Sequence, residues 1–244
     1  MTPPHGKESA ILIRGDSVAA WCCAFLLTKA GFKPALERTA RPRLPAIMLS
    51  EAALALIRDV FETPNLFRRA HRITSRSVSW GRGAEPVSLA HAAVVVSERE
   101  LLSELEQVSD PLNDHLEHEA DFTIFASRPL PTNPVEYCFG SRSAHAAQIR
   151  LRNAHDSASC WIESFEDGWL FLIPDAADTG WLLSVGSSPP GVLGSSRLIG
   201  ERIASVSERS GEFAASPRIV SPLSGPRWLA CGTAGMAFDP LCGD

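Results

Sequence analysis

Residues 10–37 read AILIRGDSVAAWCCAFLLTKAGFKPALE, and their pattern decides the fold. Ala10 to Arg14 is a short apolar run of strand type, Gly15-Asp16-Ser17 is a turn, and Val18 to Ala30 is a helical run that is apolar almost all round and closed by Gly31. A second short strand runs from Lys33 to Leu36 and ends at Glu37. A helix without a polar face has to be buried, and a strand leading into such a helix is what a parallel sheet with helices packed on it requires. The turn has the form Gly15-x-Ser17-x-x-Ala20. Small residues there permit a tight turn, close backbone approach to a pyrophosphate and close packing of helix on sheet. The helix N-terminus offers free N–H groups to an anion, and Glu37 stands where an acid would accept from an adenosine ribose. Because Ser17 replaces the middle glycine, these residues alone fit two readings, a dinucleotide-binding turn or an ordinary βαβ unit with small residues in its turn.

Working outward, Ser50 to Phe61 is an amphipathic helix with a serine cap, and Ser97 to Val108 is another well-capped helix. Strand-like pieces occur at Ile73 to Trp80, Ala92 to Val96 and Asp121 to Ala126. From Tyr137 to Ser188 alternating β-segments predict one antiparallel sheet, followed by a helix from about Ser195 to Arg209 and short strands at Arg218 to Ser221 and Arg227 to Ala230. The fold class expected is α/β: a parallel-sheet domain interrupted by an antiparallel sheet.

At the other end, residues 227–244 read RWLACGTAGMAFDPLCGD. An apolar strand leads into Gly232-Thr233-Ala234, then Phe238-Asp239-Pro240, then Gly243. Small residues again allow backbone approach, Thr233 is suited to bonding a polyol chain, and a helix starting near Gly243 would aim its dipole at an electron-rich ring edge. Pro240 and Gly243 fit a surface turn equally well.

The bulk numbers exclude several classes. The chain has 244 residues, 45% of them hydrophobic and 21% charged, enough for one sizeable core. Its net charge of -5 is spread without like-charge runs, so a nucleic-acid partner is not expected. No stretch reaches the roughly 20 apolar residues of a membrane span, and the first residues lack signal-peptide order, so a cytoplasmic location without membrane contact is expected. The six cysteines, including adjacent Cys22 and Cys23, lack metal-ligand spacing and read as reduced core thiols. His115, His118, His145 and His155 read as surface histidines, and no metal is expected.

Taken together, the two ends resemble one family. The N-terminal stretch looks like the first FAD fingerprint of the flavoprotein aromatic hydroxylases and flavin-dependent halogenases, and RWLACGTAGMAFDPLCGD resembles their second flavin motif. GWLFLIPDAADTGWLLSVG (168–186) is similar to a substrate-sheet strand that reads GWxWxIP in the halogenases, and ARPRLPAIMLSEAALALIRDVF (40–61) to the segment after the ribose-binding Glu. The resemblance implies a Rossmann-like FAD-binding domain from residues 1–48, 88–128 and 215–244, with a substrate domain from 49–87 and 129–214. It implies cofactor-binding roles for Gly15, Ser17, Ala20, Glu37, Arg43, Gly232, Thr233, Asp239 and Gly243. Trp169 and Phe171 would face substrate. By residue type Trp161, Trp169 and Trp181 fit either the lining of a pocket on the inserted sheet or ordinary packing of that sheet against helices, and Glu163 is a candidate for orienting substrate.

The activity implied is hydroxylation of a small aromatic or other electron-rich molecule by way of a flavin hydroperoxide. NAD(P)H, or reduced flavin from a reductase partner, would supply electrons. No catalytic side chain stands out, as expected when the cofactor carries the chemistry. Halogenation is disfavoured because the halogenases use a lysine beyond the first motif, and no lysine follows Lys33. The sequence departs from the family at Ser17, at Thr233 (usually Asp), at Ser127-Arg128 (usually a small pair) and at Glu98 (near a flavin-contacting Arg of many hydroxylases). These departures favour an alternative: a non-catalytic or shortened relative acting as a binding partner. Arg41 and Arg43 are suited either to neutralising a pyrophosphate or to a solvated Arg-Pro loop.

Overall fold

The computed structural model describes residues 9–114, 116, 118–131, 134–186 and 192–242. Gly243 and His115 therefore lie outside the described residues. The chain opens with β1 (Ile11–Arg14), α1 (Val18–Lys29) and β2 (Ala35–Glu37), as the opening stretch predicts. Then come β3 (Ile47–Ser50), α2 (Glu51–Val60), β4 (His71–Ser79), β5 (Val87–Val96), α3 (Glu98–Gln107) and β6 (Phe122–Phe125). Strands and short 3-10 turns follow: β7 (Val135–Cys138), β8 (Ser143–Leu151), β9 (Ser159–Phe165), β10 (Gly168–Pro174), β11 (Thr179–Val185), β12 (Ile203–Ala214), β13 (Arg218–Ser221), β14 (Ser224–Gly225), β15 (Trp228–Ala230) and β16 (Met236–Ala237).

These strands form three sheets. The first, ordered β14-β15-β6-β1-β2, is parallel except at β14. An eight-stranded sheet runs β12-β8-β11-β10-β9-β4-β5-β3, antiparallel except between β4 and β9, and a small sheet runs β16-β13-β7. The expected α/β class with an inserted antiparallel sheet is borne out. Buried Ala20, Trp21 and Ala24 of α1 share a core with Ile11 and Ile13 of β1, Leu101 and Leu105 of α3, and Leu54 and Ile57 of α2. Each helix starts on a serine whose hydroxyl accepts an N–H: Ser17 from Ala20, Ser50 from Ala53, Ser97 from Glu100. In α3 the Glu100 carboxylate returns bonds to Ser97, and these hold its carboxyl below the usual carboxylate range.

The structure corrects several expectations. The helix predicted over Ser195 to Arg209 is replaced by a short 3-10 turn, Gly200–Arg202, leading into β12, which pairs with β8 through several register shifts. The amides of Arg197, Leu198 and Ile199 converge on the Glu163 carboxylate, which holds this stretch as a loop. Residues 88–96, assigned by sequence to the parallel-sheet domain, lie in β5 between β4 and β3 of the eight-stranded sheet, because a fully apolar strand end is equally suited to either sheet. The segment read as one sheet from Tyr137 divides, with β7 joining β13 and β16. Cys138 is exposed there, while Cys160 is buried as expected.

Candidate flavin site

The β1–α1 turn is tight for a physical reason. Gly15 has φ +132°, and a Cβ built on it would lie 2.8 Å from the backbone N of Ser127, so only glycine passes beneath the strand end of β6. Gly15 N–H donates to the Glu37 carbonyl at 2.9 Å, tying the turn to β2. Ser17, extended at φ -146°, places its hydroxyl between the amide of Ala20 and the carbonyl of Ala126. The amides of Val18 and Ala19 lack acceptors within the helix, as in the first turn of any α-helix, and point out of its positive end.

The second motif arrives at the same helix end. Cys231 N–H donates to the Phe125 carbonyl at 2.9 Å, and the chain then turns through a 3-10 segment, Gly232–Ala234. Gly232 has φ +55°, and a Cβ there would stand 2.7 Å from the Cβ of Ala19. Glycine at 232 and alanine at 19 are thus matched to close approach. Thr233 is exposed beside them, its carbonyl accepting from Arg218. Asp239 accepts the Leu241 N–H at 2.9 Å and caps a 3-10 turn, Pro240–Cys242; the helix expected to start near Gly243 lies outside the described residues.

Charges are arranged in pairs around this junction. Arg14 donates twice to Oε1 of Glu37, at 2.9 and 3.2 Å, so Oε2 remains for another donor. Arg43 forms an ion pair with Asp16 and donates to its carbonyl at 2.9 Å, while Trp21 Nε1 donates to the Asp16 carboxylate at 3.2 Å. Arg41 pairs with Glu98 and also reaches the Asp16 carbonyl, at 3.1 Å. Glu98, 4% exposed, further accepts the Leu44 N–H at 2.8 Å. The Arg-Pro loop is therefore fastened over the turn by two buried carboxylates that spacing alone did not connect. Neither arginine is simply solvated. Ser127 bonds Thr39, and Arg128 pairs with Glu136. Burial, reinforced by the like charge of Arg218, lowers the Arg128 pKa.

The substrate-sheet residues separate by face. Trp169 and Phe171 are buried with Ile73, Ala93, Val95 and Ile162, and Leu241 packs against this cluster from the second motif. By register Trp181 shares that side, its Nε1 donating to Asp175 at 2.9 Å. Trp161 belongs to the opposite core, with Leu170, Leu172 and Ile199, and lies beneath the Arg202 guanidinium at 5.2 Å. It is removed from the pocket candidates. Glu163 is removed as well: 6% exposed, it accepts from Ser196 Oγ and from the amides of residues 197–199. His145, expected at the surface, is 8% exposed, and His155 and His118 are exposed. Among the described residues no cluster suited to a metal ion occurs. No helix among them is long and apolar enough to cross a membrane. An open cleft of about 570 Å³ lies elsewhere, lined by Thr63, Leu66, Arg68, Arg69 and Glu104 among others, and shares no residue with this junction.

No protein-family profile and no curated protein matches the chain by sequence. Solved structures match it in fold. The peptidyl tryptophan dihydroxylase QhpG superposes with a TM-score of 0.72 at 17% identity, over 98% of this chain and 63% of that one. The flavin-dependent brominase Bmp2 gives 0.74 at 14% identity, over 96% of this chain and 74% of its own. The p-nitrophenol 4-monooxygenase PnpA from Pseudomonas putida DLL-E4 gives 0.74 at 12% identity, over 96% and 75%. The chain thus has the fold of flavin-dependent hydroxylases and halogenases, and spans less than two thirds of the dihydroxylase it matches.

Proposed function

We propose that this chain binds FAD at the junction of α1 with residues 231–234 and serves a flavin-dependent oxidoreductase of monooxygenase type. The observation that carries the reading is the approach of Gly232 to Ala19, because it brings two distant small-residue motifs to one helix N-terminus. The residues fit a flavin dinucleotide. Val18 and Ala19 amides would hold the pyrophosphate, Glu37 Oε2 would accept from the ribose, and Thr233 would bond the polyol chain. When bound, the flavin supplies two-electron redox chemistry and the activation of dioxygen. The chain's own part is to bind and orient: the Trp169 and Phe171 face, closed by Leu241, excludes water beside the second motif and packs an apolar or aromatic small molecule. On this reading the flavin-binding part comprises residues 1–48, 97–128 and 215–244, with β5 counted with the substrate sheet.

A second reading, a fold-retaining partner protein, is favoured by one observation: Arg41 and Arg43 are already paired with Glu98 and Asp16. Turnover separates the two. With FAD added, and either NAD(P)H or flavin reduced by a separate reductase as electron source, a panel of phenols and indoles is expected to yield a product one oxygen atom heavier, above a free-flavin control. FAD retention without any such product from either electron source would support the partner reading.

A further inference from the structure

Cys23 and Cys231 are separated by most of the chain, yet their Sγ atoms lie 4.0 Å apart. Cys23 is fixed within α1, Cys231 is fixed by the hydrogen bond that its N–H donates to the Phe125 carbonyl, and both are half-buried. A disulfide needs about 2.05 Å between sulfurs, so roughly 2 Å of approach closes the pair. Cys22, next along the helix, is turned about 100° away by helical geometry. We propose that Cys23 and Cys231 form a thiol–disulfide site that closes on oxidation by a hydroperoxide and covalently ties α1 to the segment beginning at Gly232.

The chemistry balances with the hydroperoxide as oxidant. The Cys23 thiolate attacks the peroxide, an S–O bond forms as O–O breaks, and the departing hydroxide or alkoxide takes a proton. The Cys23 sulfur is thereby oxidised by two electrons to a sulfenic acid. Cys231 then loses its proton and attacks that sulfur; S–S forms, S–O breaks, and water leaves. Either thiol can donate across the 4.0 Å contact, and donation by Cys231 gives Cys23 the attacking role. Donation by Cys231 lowers Cys23 to about 7, against the effect of burial, while the same bond, with burial, pushes Cys231 up. Burial first, and then Cys23, raise Cys22 to about 11, which leaves it protonated. Both thiols belong to the fold, so the site stands independently of flavin binding.

The test is peroxide titration of the whole chain, with thiol counting and peptide mass mapping. The expected result is loss of two of the six thiols and a linked peptide pair containing Cys23 and Cys231, reversed by dithiothreitol. Cys231→Ser is expected to leave a sulfenic acid on Cys23 that dimedone traps, and Cys23→Ser to leave Cys231 unoxidised. Alkylation of Cys23 is expected to rise roughly tenfold between pH 6 and pH 8. Oxidation of exposed Cys138 ahead of Cys23, or a bridge through Cys22, would overturn the proposal. Melting curves of each variant show whether it is folded, and dimedone labelling of Cys231→Ser reads the same site without a disulfide.

Discussion

Replacing Gly15 with alanine is expected to cost about 3 kcal/mol of stability, near the upper end of what a forced backbone conformation costs. Two effects combine. The φ of +132° belongs to a region that L side chains rarely adopt, and the new Cβ would stand 2.8 Å from both the backbone N and the Oγ of Ser127. The hydroxyl can turn aside, but the Ser127 backbone, just beyond β6, cannot move without disturbing the hydrogen bond that its N–H donates to the Arg14 carbonyl at 3.1 Å. Gly31 supplies the control: its φ is +90° with nothing within 4 Å, so Gly31→Ala measures the conformational part alone, about 1 kcal/mol. Urea unfolding of both variants checks the difference. Equal shifts in the midpoint would show that crowding at Ser127 contributes nothing.

Asp16→Asn is expected to tighten FAD binding about tenfold, equivalent to about 1.4 kcal/mol. The six charged groups at the junction, Arg14, Glu37, Asp16, Arg43, Arg41 and Glu98, sum to zero before any ligand arrives. A pyrophosphate dianion must therefore compete with the Asp16 carboxylate for Arg43. Asparagine keeps an oxygen for Trp21 Nε1 but releases the guanidinium. Glu98→Gln is a poorer choice, because Glu98 also holds Leu44 N–H and fastens the loop. Fluorescence titration of FAD into the wild-type chain and Asp16→Asn reads the change. Unchanged or weaker binding by the variant would show that Asp16 does not oppose the anion.

Much of this site was legible in the sequence because it depends on local features. The apolar strand, glycine turn and all-apolar helix of residues 10–30 dictate a buried βαβ unit whatever surrounds them. The same holds for the strand entering Gly232. What the sequence did not reveal depends on distance in space. Asp16 reads only as the middle residue of a turn, and its burial makes sense only once Arg43 and Trp21 are folded over it. Glu163 alternates along a strand as a pocket residue would, yet it binds a loop more than thirty positions later. Residues 195–209 are short of strong strand formers, and it is the exposed flank of β8 that recruits their second half as β12. The closeness of Cys23 to Cys231 likewise follows from packing α1 on the end of β15.

Equilibrium binding of FAD and of riboflavin to the wild-type chain shows whether a flavin dinucleotide is held where Ala19 meets Gly232. Saturable binding of one FAD per chain is expected, with riboflavin, which lacks the pyrophosphate and adenosine, at least tenfold weaker. Absence of FAD binding, or equal affinity for the two, would contradict it.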